Sequence, residues 1–146
     1  MKIYFETIVH SKLDHVVDSF DLELFKTLSP PLTKMRIIQF DGCLKGDEVK
    51  FTMSFLGIEQ YWHSLILDDF KSANEVYFID VGKELPWPFK AWHHKHIMRQ
   101  EKENQTVIID EIEYECNSEL LTLVFKPLLI GYFYYRKIIY KKVFNV

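Results

Sequence analysis

Two neighbouring segments of the sequence hold side chains that could act together in chemistry. His94 and His96 alternate with other residues along one segment, and Asp110 and Tyr114 do so along the next. Side chains on a β-strand alternate between two faces, so each pair points to one side if both segments are strands. An imidazole oriented by a carboxylate can act as a general base, and a phenol can donate to a ligand oxygen. His94, His96 and Asp110 are therefore candidate catalytic residues.

Three roles stay open for this polar group. A buried carboxylate must be paired, so Asp110 can belong to a structural network in which it fixes a histidine and Tyr114 holds the start of the last helix. The same groups can form the polar end of a ligand pocket. The two histidines of a His-x-His strand, His94 and His96, can also present two imidazoles to zinc, with Asp110 as third ligand. Two histidines alone are weak support for a metal, so we predict no metal and no cofactor.

Polarity and turn signals place the elements that would position these residues. Alternation over residues 2–10 predicts a first strand, and short helices are expected at 13–20 and 22–28, with Ser11 and Asp14 as start signals of the first helix. Turn-forming residues then separate six strand-like segments, which favours a meander of antiparallel strands. These segments cover residues 35–40, 48–55, 58–67, 75–81, 89–101 and 106–115.

The end of the chain is helix-compatible from residue 120 to residue 143. Ser118 is its candidate N-cap, whereas Pro127 and Gly131 should bend or break it. A sheet with one apolar face needs a cover, and a terminal helix of this length supplies one. The order of elements predicts an α+β helix-grip fold, in which a curved antiparallel β-sheet wraps around a long C-terminal α-helix, with two short helices after strand 1. The curl of such a sheet leaves a space for a ligand.

Composition favours one domain with a substantial apolar core. The 146 residues are of usual domain size, so residues 1–146 are assigned to a single domain. Aromatic residues make up 16% of the chain, and they line pockets as readily as they fill cores. The net charge of −3 argues against nucleic acid as a partner, because phosphate-binding surfaces carry a basic surplus. Cys43 and Cys116 are expected as free thiols in a reducing compartment, with the cytoplasm as the predicted location.

Two segments resemble a known family. Residues 88–98 (PFKAWHHKHIM) resemble the P-F-x-x-W-x-H-x-H-x-hydrophobic pattern of a bacterial branch of the SRPBCC, or START-like, superfamily. Residues 106–114 (TVIIDEIEY) resemble that branch's T-x-hydrophobic-x-D-x-hydrophobic-x-Y. Tyr135 and Arg136, after an apolar helix, are similar to its C-terminal helix. Met98 departs from the pattern, in which an aromatic residue is more usual.

The resemblance covers essentially the whole chain and implies a deep cavity for hydrophobic ligands. The superfamily includes lipid-transfer START domains, the birch-pollen-allergen group and polyketide cyclases or aromatases. We therefore predict a protein that binds a small hydrophobic or aromatic molecule, such as a lipid-, polyketide- or hormone-like one, as carrier, sensor or scavenger. A cyclase- or aromatase-like enzyme is the alternative. The expected ligand-binding residues are Trp62, Phe78, Trp92, His94, His96, Met98, Asp110 and Tyr114.

The last helix indicates two further partners. Residues 128–135 are apolar or aromatic all round, which is too short for a membrane span and favours a helix buried against the sheet. An exposed aromatic flank could instead contact a membrane surface transiently, or a second subunit in a homodimer. A protein-interaction module is therefore a second alternative function. The basic residues beside this segment are Arg136, Lys137, Lys141 and Lys142.

Overall fold

A computed structural model describes residues 1–145 and contains the predicted order of elements. Strand β1 spans Lys2–Val9, and the two short helices α1 and α2 span Leu13–Asp18 and Leu22–Thr27. The long helix α3 spans Glu119–Phe144. The six strands between α2 and α3 are β2 (Lys34–Phe40), β3 (Glu48–Phe55), β4 (Ile58–Lys71), β5 (Glu75–Glu84), β6 (Phe89–Lys102) and β7 (Gln105–Cys116).

The seven strands form one antiparallel sheet in the order β1-β7-β6-β5-β4-β3-β2. All neighbours except β1 and β7 follow one another in the chain, as expected for a meander of hairpins. The β2–β3, β4–β5 and β6–β7 pairings contain register shifts, and bulges of this kind bend strands. The predicted helix-grip fold, with its curved antiparallel sheet and long C-terminal helix, is confirmed.

Helix α3 is continuous, so of the bend or break predicted at Pro127 and Gly131, the break is wrong. Both residues lie on the exposed side of the helix, and the buried side chains Leu129 and Phe133 hold the surrounding turns against the sheet. Tertiary packing therefore outweighs the local cost of proline, ~3 kcal/mol. The N-cap prediction is confirmed, because Ser118 accepts a hydrogen bond from the Leu121 amide at 3.1 Å.

The start of α1 differs from the prediction. Its N-cap position is Lys12, which makes no side-chain capping bond, and Asp14 lies in the first turn. The Ser11 hydroxyl donates instead to the Phe144 carbonyl oxygen at 2.7 Å. Ser11 therefore joins the chain after β1 to the last turn of α3. A carbonyl near a helix end has no partner within the helix, which explains why this acceptor is free.

The apolar core consists of two main clusters on the concave side of the sheet. One packs α1 and α2 against the end of α3, with Val16, Phe78 and Tyr140 among its members. The other packs the middle of α3 against β6 and β7, with Trp92 and Phe133 among its members. Both clusters contribute walls to a cavity between sheet and helices. Among the described residues, no helix combines the length and hydropathy that a membrane crossing requires.

Candidate functional site

The cavity lies between the concave face of the sheet, the α1–α2 segment and α3, and has a volume of about 260 Å³. Ten of its 25 lining residues are Phe, Trp or Tyr. The titratable side chains on its wall lie mainly at one end, where β5, β6 and α3 meet. The cavity therefore has an aromatic end and a polar end, the division that is typical of ligand pockets.

The aromatic end is built around two tryptophans. Trp62 meets Trp92 edge to face, with ring centroids 5.2 Å apart, and stacks against Phe51 at 6.2 Å. The Trp62 indole donates to the Ser64 hydroxyl at 2.7 Å, which satisfies its N–H away from bulk water. Such contacts hold each ring in one orientation. This wall offers flat, rigid surfaces to a ligand.

The polar end comprises Asp80, His94, His96, Asp110 and Arg136. Strand register explains the grouping: Asp80 on β5 is opposite His94 on β6, and Asp110 on β7 is opposite His96. Arg136 reaches the group from α3, with its Nη2 atom 3.7 Å from Asp110 Oδ1. His94 and His96 share the concave face because they are two apart on β6, and strand pairing puts Asp80 and Asp110 beside them on that face.

Each histidine contacts both carboxylates. His94 Nε2 lies 2.8 Å from Asp110 Oδ1, and His96 Nε2 lies 2.6 Å from Asp80 Oδ2. The second nitrogen of each ring faces the other carboxylate: His94 Nδ1 is 3.7 Å from Asp80 Oδ2, and His96 Nδ1 is 3.7 Å from Asp110 Oδ1. The two imidazole centroids are 3.5 Å apart. Among residues 1–145, the buried His96 Nδ1 and Arg136 Nε find no hydrogen-bond partner.

The surroundings fix the charges of this group. Burial alone would raise the pKa of Asp110, but the charge of Arg136 and the hydrogen bond of His94 outweigh it and hold that pKa far below its usual value. Burial also acts to raise the pKa of Asp80, and contacts with His96 lower it overall. Burial, together with the neighbouring His96, lowers the pKa of His94 to about 4. At neutral pH, two carboxylates and a neutral His94 thus face one guanidinium.

The structure places five of the predicted site residues on the cavity wall. Trp62 and Trp92 lie at the aromatic end, and Phe78 stacks on His96 with centroids 4.2 Å apart. These five wall residues are Trp62, Phe78, Trp92, His94 and His96.

Three predicted residues are elsewhere. Asp110 lies behind His94 rather than on the wall, and Met98 is packed in the core with Ile108. The Tyr114 hydroxyl donates to the Thr122 carbonyl oxygen at 2.6 Å and so ties β7 to the first turn of α3. All three face inward as predicted, but helices and neighbouring side chains cover the sheet at these positions. This agrees with the structural role that was considered for Tyr114.

Two residues of the polar end were missed by sequence reasoning. Asp80 stands two residues after Phe78 on a predicted strand, and that spacing alone places both on one face. Arg136 was grouped with the basic end of the chain, but it follows Leu129 and Phe133 at spacings of seven and three. Such spacings mark one face of a helix. Periodicity could therefore have found both residues.

Three wall residues have the donor types of a metal site. Asp80, His94 and His96 each offer one ligand atom, and these atoms lie within 4.8 Å of one another. Asp110, the third ligand in the zinc alternative drawn from the sequence, does not belong to this set. It contacts the histidines from the side that faces away from the cavity.

No family model matches the sequence, and no curated protein does. Solved structures share its fold. Norcoclaurine synthase from Thalictrum flavum, in complex with dopamine and hydroxybenzaldehyde, has a TM-score of 0.66 at 14% identity and is covered over 83% of its chain and 94% of this one. A Chromobacterium violaceum protein has a TM-score of 0.67 at 13% identity and is covered over 91% of its chain and 94% of this one. A Staphylococcus epidermidis protein has a TM-score of 0.64 at 14% identity and is covered over 87% of its chain and 93% of this one. The chain has the helix-grip fold of these structures.

Proposed function

We propose that this protein binds a small, mainly apolar molecule that carries an aromatic ring and one polar group. The observation that carries the proposal is the division of the cavity into a wall of stacked aromatic rings and a single polar end. Ligand pockets combine these two features, because apolar contact supplies affinity and a few polar groups fix orientation. The role would be that of a carrier, sensor or scavenger.

The size of the cavity favours a compact ligand. Its volume of about 260 Å³ is near the lower limit of ligand pockets, ~300–1,000 Å³. A molecule with one or two rings suits this space better than a long lipid chain. The fold is compatible with such ligands, since the related norcoclaurine synthase structure holds dopamine and hydroxybenzaldehyde.

The polar end favours a ligand with a donor group. Asp80 lies on the wall and its lowered pKa keeps it ionised, so it accepts hydrogen bonds. Arg136 lies beside Asp110, and its Nη2 atom donates to the Tyr140 hydroxyl. A ligand hydroxyl or amine can therefore pair with Asp80, whereas a ligand carboxylate would meet a like charge.

Acid–base catalysis on the bound molecule is a second candidate function. Asp80 and His96 lie 2.6 Å apart on the cavity wall, so a carboxylate and an imidazole are together there for proton transfer. In this version Asp110 acts through His94 rather than on the substrate. Cyclase- or aromatase-like chemistry would require proton transfer of this kind.

Calorimetric titration of chelator-treated protein with 2-naphthol tests the binding proposal. The neutral hydroxyl should pair with Asp80, whereas 2-naphthoate, with the same rings and a carboxylate, should bind at least about tenfold more weakly because its charge is repelled. Equal binding of the two compounds would contradict the assigned polar end. Native mass spectrometry of protein from its own host would reveal a co-purifying ligand directly.

A matched pair of variants locates the binding. Val49→Phe adds a ring to the cavity wall and should weaken 2-naphthol binding strongly, whereas Val124→Phe makes the same change on the exposed face of α3 and should leave it unchanged. Tyr114→Phe should also leave it unchanged, because that hydroxyl bonds to Thr122. Equal affinities of Val49→Phe and wild type would place the compound outside the cavity. No 2-naphthol binding, together with no co-purifying molecule, would overturn the proposal.

A further inference from the structure

We infer that Asp80, His94 and His96 form a binding site for one divalent transition-metal ion of the zinc class at the polar end of the cavity. The inference stands on the geometry of these side chains and does not require the proposed ligand. The three ligands are one carboxylate and two imidazoles, the donor types that zinc takes in open sites with three protein ligands.

The spacing of the ligand atoms suits a metal ion. Zinc binds nitrogen and oxygen at about 2.0–2.2 Å, so neighbouring ligand atoms of a tetrahedral site lie ~3.3 Å apart. Asp80 Oδ2 is 2.6 Å from His96 Nε2 and 3.7 Å from His94 Nδ1, and these two distances bracket that value. The two imidazole rings, with centroids 3.5 Å apart and planes at 31°, must turn to direct both lone pairs at one ion.

Hydrogen bonding leaves Nδ1 of His94, the nitrogen nearer to Asp80, available to bind a metal ion. A carboxylate oxygen accepts hydrogen bonds, and Asp110 Oδ1 lies 2.8 Å from His94 Nε2, so the Nε2–H donates to Asp110. In a neutral imidazole the other nitrogen, Nδ1, then carries the lone pair. That lone pair is 3.7 Å from the Asp80 carboxylate, an unfavourable pairing unless a cation lies between them.

Asp110 contacts both imidazole rings on their nitrogens away from the proposed ion. Metal-bound histidines commonly donate their other ring N–H to a carboxylate, which fixes the ring and raises its basicity. Asp110 Oδ1 lies 2.8 Å from His94 Nε2 and 3.7 Å from His96 Nδ1, so one oxygen faces the outer nitrogen of both rings. His96 Nδ1 is buried and has no hydrogen-bond partner among residues 1–145. A metal on His96 Nε2 would place the proton on this nitrogen, facing Asp110.

Charge favours the same conclusion. Arg136 offsets one carboxylate of the buried group, and its Nη2 atom lies 3.7 Å from Asp110, so the charge of Asp80 needs another cation. A buried charge without compensation is costly. A divalent ion bound between Asp80 and the two histidines would supply it. The ion also leaves one coordination position on the cavity side, where water or a ligand hydroxyl can bind.

The test uses untagged full-length protein, treated with EDTA and titrated with Co²⁺ and Zn²⁺. The visible absorption of Co²⁺ reports tetrahedral nitrogen and oxygen ligation, and calorimetry gives the Zn²⁺ stoichiometry. We expect one ion per chain. Asp80→Asn and His96→Gln should each weaken binding by more than the roughly 10–100-fold lost when a carboxylate that hydrogen-bonds a ligand histidine is removed. Circular dichroism shows whether each variant is folded, and two separate ligand variants protect the test against one that is not.

The matched control is His63→Gln, which removes a histidine that also contacts a carboxylate but lies on the outer face of the sheet. It should bind Co²⁺ and Zn²⁺ as wild type does. Wild-type protein that binds much less than one equivalent, or a folded His96→Gln variant with wild-type affinity, would overturn the inference. Because 2-naphthol is titrated into metal-free protein, this result is separate from that of the ligand experiment.

Discussion

Two histidine–carboxylate pairs in this protein have similar contacts and very different surroundings. His94 Nε2 and Asp110 Oδ1 are 2.8 Å apart on the concave side, and both side chains are 3% exposed. His63 Nε2 and Glu48 Oε1 are 3.0 Å apart on the outer face, with side chains 14% and 34% exposed. The outer carboxylate can exchange its partner for water, whereas the inner one cannot. The contact distance alone therefore does not indicate how much each pair contributes to the free energy of unfolding.

The largest difference in unfolding free energy between the two pairs should appear when the carboxylate of each is replaced by its amide. Asp110→Asn removes the carboxylate charge that lies 3.7 Å from Arg136 and weakens the buried acceptor of the His94 N–H. Breaking a buried pair in this way costs about 3–5 kcal/mol of unfolding free energy. Urea unfolding followed by circular dichroism measures it. A loss below about 1 kcal/mol would mean that water reaches this group and that the two pairs are equivalent.

Low pH should have the second-largest effect on the contribution of the inner pair to the unfolding free energy. The pKa of His94 in the folded protein is about 4, against an ordinary value near 6.5. Between these values the unfolded chain binds a proton that the folded protein excludes, so the folded state loses stability as pH falls from 6.5 to 4. The total loss is about 3 kcal/mol. The lowered pKa of Asp110 extends the loss to lower pH, below its unfolded value of ~3.9.

Unfolding free energies of chelator-treated protein at pH 7, 6, 5 and 4 measure this slope. His94→Gln should remove the part between pH 6.5 and 4, although it also loses a hydrogen bond, so the slope rather than the absolute stability is the readout. His63→Gln keeps His94 in place and should keep the slope. Parallel profiles for His94→Gln and wild type would show that His94 takes up its proton without unfolding the protein.

The fold was predictable because its signals are local. Alternating polarity and turn residues mark the strands, and Ser118 marks the start of α3. The continuity of α3 through Pro127 was not predictable, since it depends on packing contacts that lie far away in sequence.

The site was predictable only in part, for the same reason. The inward direction of His94 and Asp110 follows from strand periodicity, and the resemblance to a known family pointed to the same residues. Which carboxylate lies on the wall depends on the register between β5, β6 and β7 and on what α3 covers. Asp80 and Arg136 were missed because a charged residue in an apolar segment is usually taken to face solvent.

The smallest effect is expected for Glu48→Gln. The amide keeps an acceptor for His63, and the partly exposed position lets water replace the lost charge. Partly exposed polar pairs of this kind contribute about 0–1 kcal/mol, and 1 M salt screens charges beyond ~3 Å. Urea unfolding of Glu48→Gln and Asp110→Asn at low salt and in 1 M NaCl measures the difference. Glu48→Gln should lose little unfolding free energy, and that loss should depend on salt. Asp110→Asn should lose much more, and salt should barely change its loss. Both variants replace a carboxylate by its own amide, so their salt responses can be compared directly. Similar responses would mean that both pairs are equally accessible to solvent. Burial could then not explain a difference in stability between the two variants.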